Sequence, residues 1–558
     1  MVNFGVTAIG TEKYDYVIAG AGTAGCILAH RLSKDGYRVL LVEAGGSDNH
    51  WTVRMPGGLR AHYKPKSRFN YHYYSVPQKH LNNREIYQPR GRALGGSASI
   101  NGMVFLSGHA LDYERWVGEG ADGWAYRDVL PYFKRLETFE DGGSEFRGDS
   151  GPVNVRYQLD LSELDQTFLA AGQEAGFPFT KDVNGQQQEG FCRFDMNVDN
   201  GIRASTAYAY LHKFKGIISP SVRLNSLVEK IIFDGDQAVG IQYRQGGGHR
   251  TAYAESEVIL CLGAFGSPQL LMLSGIGQAE HLHDMGIECW HQLPGVGENL
   301  QDHLEVHIQH HCTKPISLNR YLRPDRMVRV GVQWFISKSG VCARNQANTG
   351  AFLKTDDGAA HPNIQFHFFP VFFDGWNPRH DVSGYLLDTG PMRPTSRGSV
   401  KLRSRDPTAS LAIDPNFMAT DHDLEETVRG FELGRETLRQ PAFADYDAGE
   451  VIPGPEVRTR AQIEAFIRDH AGSAYHPCGS CKMGSFDDES SVVDNQGRVK
   501  GLLGLRVVDA SVMPSISSSN INSVVMMIAE KMSDAILGKL PASAAKDRAA
   551  SPEAYCPE

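Results

Sequence analysis

Apolar positions along this chain fall into short runs separated by glycine. Tyr16–Ala19 is one such run, closed by Gly20-x-Gly22-x-x-Gly25. Ile27, Leu28 and Leu32 then recur at helical spacing, Gly36 punctuates, and Val39–Val42 forms a second run that ends at Glu43. The pattern predicts strand, helix and strand within about 30 residues, a βαβ unit. Val258–Leu262 and Leu505–Val508 predict two more buried strands. Gly263-Ala264 should turn the first of them into a helix starting near Ser267-Pro268, with proline at an early position. Asn363–Trp376, NIQFHFFPVFFDGW, alternates like a strand. Asp421–Phe443 has the period of an amphipathic helix, with Asp421 or Asp423 as its cap. No run approaches the ~18 apolar residues of a membrane-spanning helix, which leaves peripheral membrane contact open.

Each part of the N-terminal unit has a mechanical reason. Gly20 makes the tight turn, Gly22 lets a pyrophosphate approach the backbone, and Gly25 lets helix and strand come close. The helix start offers free N–H groups and a positive partial charge to phosphates. Glu43 would accept hydrogen bonds from both hydroxyls of an adenosine ribose, which favours FAD or NAD over NADP. The motif by itself does not separate those two.

Composition narrows the class. The chain has 558 residues, 41% hydrophobic and 22% charged, with a net charge of −9, and its length suits about two to four domains. No basic patch points to nucleic acid. The nine cysteines include no periodic framework, so a reducing compartment is expected. The first 22 residues lack the basic and apolar regions of a signal peptide. AYHPCGSCKMG (residues 474–484) places His476-Pro477 before Cys478-x-x-Cys481. The cysteines lack both the helix-start context of a redox dithiol and the two further ligands of a zinc site, so they are read as packing. His307, His310 and His311 in HIQHHC lie on different strand faces, and no metal site is expected. The tail, residues 541–558, is small, polar and expected to be disordered.

Four separated blocks carry a resemblance: the βαβ unit, GRALGGSASINGM (91–103), GAFGSPQLLMLSGIG (263–277) and LRVVDASVMP (505–514) with the SISSSNIN that follows. In this order, from about Tyr14 to Leu540, they resemble the glucose-methanol-choline (GMC) family of FAD-dependent alcohol oxidoreductases. HLNNREIYQPRG, NGQQQEGF, RAST, PGVGENLQDHLE and CKMG are similar to its choline dehydrogenases. The resemblance implies an α/β fold: a Rossmann-like FAD-binding domain (1–155, 226–312 and 471–540) with an inserted antiparallel-sheet substrate domain (156–225 and 313–470). It implies FAD contacts from Gly20, Gly22, Thr23, Ala24, Gly25, Glu43 and Ala44; from Arg92, Leu94, Gly95, Gly96, Ser97, Asn101, Gly102, Met103 and Val104; from Val228, Gly263, Ala264, Asp509 and Ala510; and from Asn520, Ile521 and Asn522. Some choline oxidases attach FAD through a histidine where this chain has Ile100, so the cofactor should be non-covalent. Ala98 departs from the usual hydroxyl or glycine.

The same resemblance makes His476 and Asn520 the catalytic pair. A neutral histidine suits a base for the hydroxyl proton, and an asparagine can hold the alcohol oxygen. Glu305, His367, Phe373 and Tyr475 should bind substrate, and a carboxylate with aromatic faces suits a quaternary ammonium. The expected reaction oxidises a primary alcohol, choline first, to an aldehyde. Electrons pass to a quinone, another mediator or oxygen. A cytoplasmic protein, with contact at the inner membrane face left open, completes this reading. Aliphatic, polyether and aromatic alcohols remain as other substrates. A hydroxynitrile lyase on the same frame, an NAD-linked dehydrogenase and a non-catalytic flavin scaffold remain as other functions.

Overall fold

Glu12–Ala19 is a strand whose last four residues are buried, and it runs parallel to Val39–Val42 on one side and to the second half of Gly248–Leu260 on the other. The computed structural model describes residues 12–540 apart from 159, 215, 217, 357 and 376. Ser221–Arg223 extends the sheet beyond Val39–Val42, and Leu505–Val507 joins the far edge of Gly248–Leu260. The first half of that long strand pairs instead with the hairpin Ser226–Asp234 and Gln237–Gln245. Tyr16–Ala19 and Val39–Val42, the paired segments at the centre of the sheet, are apolar and buried throughout, as expected where both faces are covered. Helices Thr23–Lys34 and Asn522–Ile536, from opposite ends of the chain, pack on each other.

A second sheet has the order Asp447–Ile452, Leu304–Cys312, Gly384–Pro391, Ile364–Phe369, Thr349–Leu353, Gly190–Arg193, Phe179–Thr180. Gly472–Ser473 pairs with the start of Leu304–Cys312. Its ladders are antiparallel except for the edge pair Phe179–Thr180 with Gly190–Arg193. Val306, Ile308, Phe366 and Leu387 point into a core roofed by helix Asp421–Leu438. The residues between them, Glu305, His307, His367 and Asp388, point the other way, into a cavity. The two-residue period of a strand thus gives one face to packing and the other to chemistry.

Several expectations move. Ser221–Arg223 belongs to the first sheet and Leu304–Cys312 to the second, each on the other side of the division read from sequence. The helix after the Gly248–Leu260 strand starts at Gly263, not near Ser267. Pro268 therefore lies inside it, and the carbonyl its missing N–H leaves free, on Ala264, accepts from Ser480 Oγ at 2.5 Å. The cap of Asp421–Leu438 is Thr420, whose hydroxyl accepts from the Asp423 N–H, and the helix stops before Pro441. Residues 1–11 and the tail, on which the leader and disorder expectations fall, lie outside the described residues. Among the described residues no helix is long and apolar enough to cross a membrane.

Candidate active site

A cavity of about 2030 Å³ runs between the two sheets, from Glu43 past Gly22 and Gly96 to His476 and Asn520. It lies beyond the carboxyl ends of the parallel strands, where open α/β sheets hold their ligands. Every cofactor-binding residue named from sequence lines it except Gly25, Arg92, Leu94 and Gly95. Those four act behind the wall. A side chain on Gly25 would meet the Gly20 carbonyl oxygen at 2.0 Å, so the glycine permits the approach of helix to strand. Arg92 stacks on Tyr71. The Leu94 and Gly95 N–H groups are spent on Gly46 and Ala21 carbonyls.

The cavity wall fits a dinucleotide. Helices Thr23–Lys34 and Asn522–Ile536 both open on it without a side-chain cap, and Thr23 Oγ1 donates to Asn522 Oδ1 at 2.8 Å to tie their starts together. Two positive helix ends thus face one cavity. Glu43 accepts from the Ala21 and Gly45 N–H groups at 3.0 and 2.8 Å. Burial raises its pKa to about 7 against those hydrogen bonds. Gly96 passes so close to Gly22 that a Cβ would sit 2.7 Å from its Cα.

At the inner end, hydrogen bonds decide the tautomers. His303 Nε2 lies 2.9 Å from the Met392 carbonyl oxygen, which can only accept, so the proton is on Nε2. The other nitrogen of a neutral His303 then accepts, and it lies 3.0 Å from His476 Nδ1. His476 must carry its proton on Nδ1, which leaves a lone pair on Nε2. Asn520 Nδ2 donates to that lone pair at 3.1 Å. The asparagine amide is oriented in turn by Gln365 Nε2 and His367 Nε2, at 3.1 and 3.3 Å from its Oδ1. Burial first, and then electrostatic interaction with His303, His367 and Arg90, holds His476 well below the usual histidine range. A neutral base with its free nitrogen facing the cavity is the result.

The loop carrying His476 is pinned as well. Asp302 accepts from the His476 N–H at 2.7 Å, from Ser473 Oγ at 2.5 Å and from Gln88 Nε2 at 3.0 Å. Tyr475 has a left-handed backbone (φ 69°), and Arg90 Nη2 donates to its carbonyl at 2.5 Å. Cys478 and Cys481 are free, buried in the main core, and burial pushes both thiols up. Among the described residues no cluster of His, Cys, Asp and Glu is arranged to hold a metal.

The wall beside this pair is acidic and aromatic. Glu305 Oε1 lies 2.7 Å from His367 Nδ1. Burial opposes charge on both, but their pairing outweighs it and keeps carboxylate and imidazolium ionised. Asp388 stands directly across from both His367 and His307 in the strand register. Burial and then Glu305 raise its pKa to about 8. Tyr475 makes a ring contact with Tyr63 at 5.8 Å, and Phe373 lines the same space.

Sequence reasoning therefore brought together His476, Asn520, Glu305, His367, Tyr475 and Phe373, and missed Asp302, His303, Gln365, Asp388 and Arg203. Arg203 is buried and donates from Nη1 to the Asn101 backbone and side-chain oxygens at 2.6 and 2.9 Å, so it shapes the loop that lines the cavity. Two signals were available. His303, Glu305 and His307 share one strand parity, and Gln365 shares that of His367. Nothing local marks Asp388.

Comparison with known proteins places this geometry. Two family profiles described as GMC oxidoreductase match residues 14–305 and 394–529. The mitochondrial choline dehydrogenase of Mus musculus is 44% identical over 543 residues, 96% of this chain and 91% of its own. That of Homo sapiens is 45% identical, over 95% of this chain and 90% of its own. Oxygen-dependent choline dehydrogenase 1 of Chromohalobacter salexigens is 44% identical, over 96% and 97%. Among solved structures, pyridoxine 4-oxidase from Mesorbium loti matches with TM-score 0.84 and 30% identity, over 93% of this chain and 98% of its own. A formate oxidase shares the fold at TM-score 0.88 and 24% identity, over 95% and 99%. With profile matches at both ends and relatives this similar along almost the whole length, the chain belongs to the GMC oxidoreductase family, whose cofactor is FAD.

Proposed function

We propose that the chain is a choline dehydrogenase, oxidising the primary alcohol of a quaternary ammonium compound to its aldehyde. The observation that carries the reading is the bare Nε2 of neutral His476 facing the Asn520 amide, with a two-carboxylate wall beside them. FAD, when bound, supplies the acceptor for the substrate hydride. The residues proposed to hold it are the cavity-lining ones around Gly22, Glu43, Gly96, Asn101 and Asn522, and Ile100 offers no side chain for a covalent link.

The alcohol oxygen would enter between His476 and Asn520 and replace their mutual hydrogen bond. Its proton is given to His476 Nε2, while Asn520 Nδ2 donates to the oxygen. Glu305 and Asp388 face the trimethylammonium group, and Tyr475, Tyr63 and Phe373 cover its methyls. His367 offsets one negative charge. Asp388 keeps its proton without a cation beside it and can release it when one binds. The support for choline over neutral alcohols is this second carboxylate, together with relatives named for choline. Electrons are proposed to leave to a quinone or a similar mediator.

The test is anaerobic flavin reduction by choline and by its neutral isostere 3,3-dimethylbutan-1-ol. Choline should reduce the flavin with a KM at least about tenfold lower, and Glu305→Gln should remove most of that advantage while sparing the isostere; a buried charge pair of this kind contributes on the order of 1–3 kcal/mol. Equal KM values for the two alcohols would overturn the choline assignment, and no reduction by any primary alcohol would overturn the reaction. A separate aerobic assay of oxygen uptake with the same alcohols separates oxidase from dehydrogenase.

A further inference from the structure

The cavity face of the second sheet changes character within two residues along its strands. In one cross-strand row His307, Asp388 and His367 stand side by side, in register across Leu304–Cys312, Gly384–Pro391 and Ile364–Phe369. Two residues further along each strand, roughly 7 Å away, the next row is Gln309, Leu386 and Phe369. Both rows line the cavity. The first carries titratable groups, with Glu305 paired to His367 at its edge. The second carries none. Gln309 is its one polar member, and both ends of that amide are spent on the backbone of Phe373. Its Nε2 donates to the Phe373 carbonyl and its Oε1 accepts from the Phe373 N–H, each at 2.9 Å.

The apolar row continues into a shelf. Past Phe369 the chain adds Val371 and Phe373 to the same cavity wall. Leu386 and Val371 are buried, at 6% and 7% exposure, so only their inner edges meet the cavity. Hydrogen bonds fix this stretch in place. The Leu318 N–H donates to the Pro370 carbonyl at 2.7 Å. Buried Asn319 accepts from the Phe372 N–H at 2.7 Å and donates to the Phe372 and Arg379 carbonyls at 2.8 and 2.6 Å. Choline has nothing to place on such a shelf, because a methyl on a nitrogen held at the first row stops short of the second. The cavity of about 2030 Å³ is also twice the upper end of the ~300–1,000 Å³ range of ordinary ligand pockets, more room than a small alcohol beside a dinucleotide needs.

We propose that the site takes quaternary ammonium alcohols in which one methyl of choline is replaced by an apolar chain of several carbons. The nitrogen lies against Glu305 and Asp388, the alcohol carbon lies between His476 and Asn520, and the chain leaves by the methyl position nearest Phe373. It crosses Leu386 and Phe369 and ends over Val371 and Phe373. Burial of its methylenes supplies affinity that a methyl cannot. The reaction is unchanged, a primary alcohol losing a hydride and a proton to become an aldehyde. A polyether chain of equal length is disfavoured, because its oxygens would give up water on a row with no donor to spare. The inference deepens the choline reading of this site and rests on it.

The experiment follows anaerobic flavin reduction in the full FAD-loaded chain. The substrates are choline and the N-butyl, N-hexyl and N-octyl derivatives of N,N-dimethylethanolammonium, each below its micelle-forming concentration. The half-saturating concentration should fall along the series and be at least about tenfold lower for the octyl compound than for choline, a fraction of what complete burial of the added methylenes would give. Replacing two methylenes of the octyl chain by ether oxygens should raise it again by at least about tenfold. Leu386→Gln sets an amide in the second row and should bring the octyl and choline values together, with flavin content as the check on folding. The series on the parent decides the matter even where that variant does not fold. The inference fails if the parent's values are flat or rise with chain length while choline still reduces the flavin, a result that leaves the choline assignment standing. It fails too if the ether chain matches the octyl chain, or if folded Leu386→Gln keeps the parent's series. Equal values for choline and 3,3-dimethylbutan-1-ol would overturn the choline reading and this inference with it.

Discussion

The Met392 carbonyl can only accept a hydrogen bond, and that constraint passes through His303 to the nitrogen of His476 that faces the cavity. His303 is therefore a positioning residue, with no contact to the alcohol required. Replacing it by phenylalanine keeps the ring and removes both hydrogen bonds. His303→Phe should lower the rate of flavin reduction by at least about tenfold, with about 10⁴ as the ceiling for a base left in the wrong tautomer. KM should change little. His303 also lowers the pKa of His476, so the acid limb of the rate–pH profile should move to higher pH. A variant with lower rate but an unmoved limb would reduce His303 to a packing role.

Elements carry the next level of argument. Gly96 is left-handed (φ 53°), and a methyl there would meet the backbone of Gly22 rather than a side chain that could swing away. Gly96→Ala should push the loop off the helix start that faces the cofactor. The expected product is a protein with native far-ultraviolet circular dichroism and less than about a tenth of the parent's flavin, since a displaced contact of roughly 1.4 kcal/mol or more is tenfold in affinity. Full flavin content in the purified variant would contradict it. This loop also shows what a sequence can and cannot disclose. The strand, glycine turn and helix of residues 16–43 were legible because every constraint there is local. Glu305 and His367 were legible through resemblance, and the alternation along Leu304–Cys312 and along Ile364–Phe369 supports their facing the cavity. The helix start at Gly263 was not, because Asp509 Oδ2 accepts the Gly263 N–H and Ser480 satisfies the carbonyl freed by Pro268, and both partners lie more than two hundred residues away. Asp388 was hidden for the same reason: it gains meaning only from the strands on either side.

At the scale of the molecule, burial of histidine sets the response to acid. His62, His109, His303 and His307 are each lowered to about 4 and His361 to about 3, and His476 is also held well below the usual histidine range, with desolvation the largest cause in every case. The unfolded chain would bind protons at these positions near the ordinary 6.5, so it gains protons first as pH falls and stability is lost between about 6.5 and 4. Glu43, Asp302 and Asp388 act in the opposite sense, because their folded values, about 7, 6 and 8, lie above the unfolded ones. Histidines outnumber them, and each unbalanced group changes stability by about 1.4 kcal/mol per pH unit. Urea midpoints of the purified protein should therefore fall steadily from neutral pH toward 5. A flat or rising profile would show that the buried histidines do not stay neutral.

The pairing of Leu505–Val507 with Gly248–Leu260, and the bond from Thr23 to Asn522 across 499 positions, also set an order of events on the ribosome. The glycine turn is synthesised almost five hundred residues before the strand, the helix start and the asparagine that complete its cavity. Long-range pairing of this kind forms late. The complete flavin site therefore exists only after these residues have been made, and a ribosome that stops before residue 505 releases a chain with the dinucleotide motif intact and no complete site around it.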